Sequence, residues 1–257
     1  MIRQSICYPL FKDLAASPAE FCRLAAEMGY AGIDLWGRGE LEGLHEPAAR
    51  HNLTLTGFVG HGPIERGLNN PEHHAAIQRE LRESIDLAAR HRVPTLIAFA
   101  GNRMKNQSDY EGLVQCARGL RPVAPYAAER GVTLCVEMLN SKVDHPHYLA
   151  DRSDFAFALC EMVGSPAVKV LFDIYYMQVM EGDVIASLRR GLQWVGHVHT
   201  AGVPGRHDLD DTQELNYRGI VHALQDGGYT GFVGHEFWAR GDKLAAMRQA
   251  FALCRLA

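Results

Sequence analysis

Glu137, Asp173, His199 and Glu236 sit at equivalent points of four successive apolar runs, LCVEML, VKVLFD, WVGHVHT and GFVGHEF. All four are of types that ligate metal ions or carry protons. Taken singly, each reads as a solvated strand end. Taken together they pose an electrostatic problem. Three carboxylates brought into one cavity repel one another, and burial adds to the cost of ionising them. A divalent cation removes that cost. Three oxygen donors and one imidazole suit Mg²⁺, Mn²⁺ or Co²⁺, whereas zinc more often takes nitrogen and sulfur. The expectation is one divalent metal ion, Mg²⁺ or Mn²⁺ ahead of Co²⁺ or Zn²⁺, held by Glu137, Asp173, His199 and Glu236.

Such a convergence needs strands that end together, and the chain alternates in the way that provides them. Short apolar, β-branched runs (QSICY, GIDLW, LTLTGFVG, PTLIAF, VTLCVEML, AVKVLFD, WVGHVHT, GFVGHEF) are separated by helical stretches. In SPAEFCRLAAEMGY, Ser17 is the expected N-cap, Pro18 the first helical residue and Gly29 the stop. Pro122 is expected to bend or split the helix that begins near Tyr110. Ser153 is expected to cap SDFAFALCEMVG, with Gly164 ending it. Strands apolar on both faces read as buried parallel strands. Eight strand–helix units predict a single (β/α)8 barrel, one α/β domain over residues 1–257. An open doubly wound sheet is disfavoured, because no strand is followed by GxGxxG. In such a barrel the active site lies at the C-terminal ends of the strands.

Other residues near those ends are candidates to line the site. Trp36 follows the second strand, Phe58 and His61 flank the end of the third, Tyr175 and Tyr176 follow Asp173, and Trp238 follows Glu236. His61, Tyr176 and Trp238 are read as substrate contacts. His197 shares a face with His199 one layer deeper, as an orienting or floor residue. His235 points away from Glu236 and reads as structural; His73 and His74 open a helix and read as solvated. The loop after His199 is long for a strand-to-helix connection. In it Arg206 is the residue suited to grip a carboxylate bidentately. A surface ion pair with Asp208, Asp210 or Asp211 is the alternative.

Composition narrows the partners. The 257 residues carry a net charge of −4, with no basic footprint for nucleic acid. No apolar run reaches the length of a membrane helix, about 18 residues or more, and MIRQSICYPLF lacks the pattern of a secretory signal. Cys7, Cys22, Cys116, Cys135, Cys160 and Cys254 are scattered and read as reduced thiols of a cytoplasmic protein. The expected partner is a small-molecule substrate, without nucleic acid or membrane, and a homo-oligomer is left open.

VEMLN with DHPHYL, LFDIYYMQVMEGD, HVHTAGVPGRHDLDDTQELNY, GHEF followed by RGD, and GHGPIERGLNNPEHH resemble the hydroxypyruvate isomerase family. That family lies within the xylose-isomerase-like barrels, beside the ketose 3-epimerases. The resemblance spans nearly the whole chain and is most specific in PGRHDLDDTQELNY. It implies a metal on the same quartet, with Glu137 and Glu236 as acid and base. The reaction it implies is isomerisation of a small hydroxy-keto acid through an enediolate, hydroxypyruvate giving tartronate semialdehyde. Three positions depart from the family pattern: His199 replaces a usual Gln, Tyr176 a usual His, and Trp238 stands near a usually basic position. His199 is nearer the sugar epimerases, so a ketose 3-epimerase, or a decarboxylase or dehydratase of an oxo-sugar acid, is the alternative. A nuclease of abasic DNA is disfavoured by the acidic balance, and a non-catalytic binding barrel by the cost of idle buried acids.

Overall fold

In the computed structural model, which describes residues 2–255, eight parallel strands close into a barrel in sequence order. They are β1 Arg3–Cys7, β2 Gly32–Asp34, β3 Thr54–Val59, β4 Thr95–Ala98, β5 Thr133–Glu137, β6 Val168–Asp173, β7 Val195–Thr200 and β8 Phe232–His235. Each pairs only with its sequence neighbours, and β1 pairs with β8 to close the ring. The strands are buried along almost their full length, as their apolar sequences require. Helices cover the outside and seal the core through Phe21, Ile77, Leu81, Ile85, Leu120, Leu188 and Leu224.

Local signals account for most helix ends. Ser17 accepts from the Glu20 amide, Pro18 opens helix Pro18–Met28, and Gly29 caps it in the left-handed conformation at φ 99°. Pro122 lies in the turn between helices Asp109–Leu120 and Ala124–Glu129. Two expectations shift. Helix Ser153–Val163 is capped at Arg152, and Ser153 is its first residue. Its hydroxyl and amide instead bind Glu181, which follows helix Ile174–Met180. The stretch after Asp173 is itself a helix, Ile174–Met180, because the Asp173 side chain accepts from the Tyr176 amide at 3.2 Å. His73 and His74 are half-buried rather than solvated, and His74 binds the Leu68 carbonyl at 2.8 Å.

Candidate metal centre

β5 to β8 end side by side, and their terminal side chains meet. The ladder sets Asp173 against His199 and His199 against Gly234. One potential ligand atom from each of Glu137, Asp173, His199 and Glu236 lies within 4.8 Å of the others, and all four residues are buried. Glu236 follows the last residue of β8, held there by a bond from its amide to the Thr200 carbonyl at 3.1 Å.

The donor set fits a divalent cation. Three carboxylates share the site with one guanidinium, that of Arg206, which pairs with Asp173 and Glu236 and leaves negative charge in excess. The Nδ1 of His199 stands 3.0 Å from Glu236 Oε2 and 3.8 Å from Glu137 Oε1, yet it has no hydrogen-bond partner. A buried ring nitrogen aimed at carboxylate oxygens without a hydrogen bond is placed to share a cation with them. The charge excess also governs protonation. Burial, above all, pushes the Asp173 carboxyl up to about 6, with Arg206 and His199 opposing. Burial acts the same way on Glu236, but Arg206 and His199 outweigh it and hold that carboxyl well below its ordinary range. Burial disfavours a charged His199, but Glu236 and Glu137 override it and raise its pKa well above the ordinary histidine value. A bound cation takes the place of such a proton.

Arg206 reaches inward from the loop 201–216, at φ 58°. Its Nη2 binds Glu236 Oε2 at 2.6 Å and Asp173 Oδ2 at 3.3 Å; its Nη1 binds the Tyr176 hydroxyl, and the guanidinium stacks 4.4 Å above the Tyr176 ring. Two of the three acids that could have held it at the surface are engaged elsewhere: Asp210 and Asp208 lie 2.9 and 3.5 Å from Arg240.

Beneath the quartet lies a polar floor. Asp34, at the end of β2, accepts from Ser5 Oγ at 2.8 Å and from Thr56 Oγ1, and faces His197 Nε2 at 3.1 Å. His197 and His199 stack edge to face with centroids 4.9 Å apart. Gly234 leaves room for this layer, since a Cβ there would come within 2.2 Å of Asp34 Oδ2. Burial works against the Asp34 charge, but His197 prevails and brings its pKa down to about 2. Asp34 stability is therefore present above its unfolded pKa of about 4 and is lost as pH falls toward 2. Asp34→Ala is expected to cost about 1–3 kcal/mol, because it leaves the buried Ser5 and Thr56 hydroxyls without their acceptor. Urea unfolding at pH 7 measures this, and the difference from wild type should shrink below pH 4.

A cavity of about 230 Å³ opens above the quartet, lined by Glu137, His145, Tyr176, His199, Arg206 and Glu236 on one side. Tyr176 thus faces the cavity. His61 does not; it is buried behind it, with Nε2 accepting the Phe99 amide at 3.0 Å, and burial lowers its pKa to about 4. The Trp238 side chain is 54% exposed at the rim, while its amide binds the Arg206 carbonyl at 2.9 Å. His235 is buried between Thr200 and Gln4, as its outward register implies.

Two lining groups, Cys7 and His145, escaped the sequence reading, and so did the bond that Trp36 makes. Cys7 ends β1, with its thiol 3.8 Å from Glu236 Oε1; Trp36 donates its Nε1–H to the same oxygen at 2.7 Å; His145 lies 3.0 Å from the Tyr176 hydroxyl. Cys7 could have been found by applying to β1 the strand-end rule used for β5 to β8.

The sequence profile described as xylose isomerase-like TIM barrel matches residues 22–256. A human protein named "Putative hydroxypyruvate isomerase" is 28% identical over 93% of this chain and 90% of its own length. A Cupriavidus necator protein named 2-oxo-tetronate isomerase is 40% identical over 47% of this chain and 46% of its own. Among solved structures, a family 2 AP endonuclease from Brucella melitensis has a TM-score of 0.78 at 26% identity, covering 96% of this chain and 97% of that one. A D-psicose 3-epimerase from Clostridium cellulolyticum has a TM-score of 0.80 at 19% identity, covering 98% and 96%, and shares the fold.

Proposed function

The chain belongs to the xylose isomerase-like TIM-barrel family, and from that premise we propose that it is an isomerase interconverting a small 3-hydroxy-2-oxo acid and its 2-hydroxy-3-oxo isomer. Hydroxypyruvate and tartronate semialdehyde are the simplest such pair. The observation that carries the proposal is the closed quartet of Glu137, Asp173, His199 and Glu236 under a small cavity. The names of the human and bacterial relatives support it.

Glu137 and Glu236 approach the cavity from strands with two others between them in the ring. One takes the proton from the hydroxyl-bearing carbon, and a proton returns to the former carbonyl carbon while the hydroxyl proton moves between the two oxygens. Nothing is oxidised or reduced overall. A divalent cation held by the quartet supplies, when bound, positive charge beside the two substrate oxygens. Trp36 holds Glu236 Oε1 in place from outside the quartet. Arg206 turns its fork to the substrate carboxylate, and Tyr176 orients that fork.

The decisive experiment is exchange in D₂O followed by NMR. Protein stripped with a chelator should leave hydroxypyruvate unlabelled, and added Mn²⁺ or Mg²⁺ should restore deuterium incorporation at the hydroxymethyl carbon. No exchange in any three- to six-carbon keto acid, with any divalent ion, overturns the proposal. Arg206→Lys keeps the charge and loses the fork, so KM for the acid should rise about tenfold or more, the loss of a charged hydrogen bond. An unchanged KM removes Arg206 from substrate binding.

A further inference from the structure

The cavity has two unlike sides. The ends of β5 to β8 furnish the carboxylates, His199, Arg206 and Tyr176. The ends of β2 to β4 furnish Leu35, Trp36, Val59, Ile64, Ile97 and Phe99. The polar side chains on that second side are already engaged, as are three of its main-chain carbonyls. The Trp36 N–H binds Glu236. Asp34 is bound by Ser5 and Thr56 and faces His197. The main-chain carbonyls of Trp36, Ile97 and Phe99 accept from the amides of Val59, Gly60 and Leu68. The Phe99 amide is bound to His61.

A substrate that runs from the quartet across the cavity therefore meets hydrogen-bonding groups at one end and hydrocarbon at the other. The hydroxyls of a polyol tail would leave water and find no partners on this wall, which is unfavourable. An alkyl or aryl tail gains from the same contact. We infer that the preferred substrate is a 3-hydroxy-2-oxo acid whose hydroxyl-bearing carbon carries an apolar substituent, rather than a hydrogen or a hydroxylated chain. The inference rests on the proposed reaction for the polar end and goes beyond it for the tail.

Two acids differing in one group test it. In 3-hydroxy-2-oxopentanoate the tail is an ethyl group; in 3,4-dihydroxy-2-oxobutanoate a hydroxyl replaces the terminal methyl. With Mn²⁺-loaded protein, kcat/KM from NMR should favour the ethyl compound by roughly 10- to 200-fold, the span for one methyl-sized group in an apolar pocket. Val59→Thr replaces a methyl of the wall by a hydroxyl at nearly constant shape and should narrow that ratio. Binding is read separately, by titration calorimetry with 2-oxopentanoate and 4-hydroxy-2-oxobutanoate, which lack the 3-hydroxyl that the reaction moves. The first should bind more tightly, and the difference should shrink in Val59→Thr. If no acid exchanges but 2-oxopentanoate binds more tightly, the reaction proposal falls and the apolar subsite stands. Exchange that favours the dihydroxy acid, or binding of 2-oxopentanoate no tighter than its hydroxylated counterpart, overturns the inference.

Discussion

Glu137→Gln and Glu236→Gln should each lower turnover by about 10²–10⁴-fold, the usual contribution of a general acid or base. Gln keeps the size and one oxygen, so each variant should retain part of its affinity for Mn²⁺ by calorimetry. It cannot take up the proton. Glu236 is the more constrained of the two. Its Oε1 accepts from Trp36 and its Oε2 faces His199 and Arg206. The two oxygens are thus in unlike settings, and the amide of Gln satisfies only one of them well, because an NH₂ group facing the Trp36 N–H or the guanidinium would be repelled. If two bases serve the two carbon centres, one variant should still exchange a substrate proton with D₂O while net conversion stalls. Near-wild-type turnover in either variant, with metal bound normally, would remove that residue from proton transfer.

Asp173→Ala and His199→Ala should abolish metal binding and activity together while the barrel stays folded. Both residues are buried at the meeting of β6 and β7, and Asp173 has a second duty as cap of helix Ile174–Met180. Asp173→Ala is therefore expected to lose about 1 kcal/mol of stability beyond its loss of metal, the usual cost of a missing cap. Asp173→Asn, which keeps a capping oxygen, should recover the stability and not the metal. Equilibrium dialysis against Mn²⁺ with circular dichroism separates the two effects. Full metal occupancy in a double Asp173→Ala, His199→Ala variant would refute the quartet as the site.

The barrel was legible because its signals are local. Eight apolar runs, each followed by a helical period, leave few topologies, and Ser17, Pro18, Gly29 and Pro122 act within a few residues of themselves. The four strand-end residues could be read together for the same reason, since each closes its own run. What the sequence hides depends on contacts between distant positions. Trp36 and Glu236 are 200 residues apart, as Cys7 and Glu236 are 229. Asp34 is a polar residue within a three-residue strand, and nothing nearby announces that Ser5, Thr56 and His197 will surround it. His61 misled through its position: it follows a strand, but its ring turns to the Phe99 amide instead of the cavity.

The two sides of the cavity also divide the chain. The hydrocarbon wall is complete by Phe99, and the ion-binding residues begin at Glu137. The apolar wall and the acidic quartet are therefore inherited on separate stretches of the chain, with a helical spacer between them. A lineage could change its substrate by drift or recombination within the first hundred residues while the catalytic apparatus passes on intact. The same division offers an engineering boundary: residues 35–99 could be exchanged with those of a relative to retune the tail pocket. Trp36 crosses it at the cavity through its bond to Glu236, as Gln78 does on the outside through the Gly119 carbonyl, and any such exchange should keep both bonds.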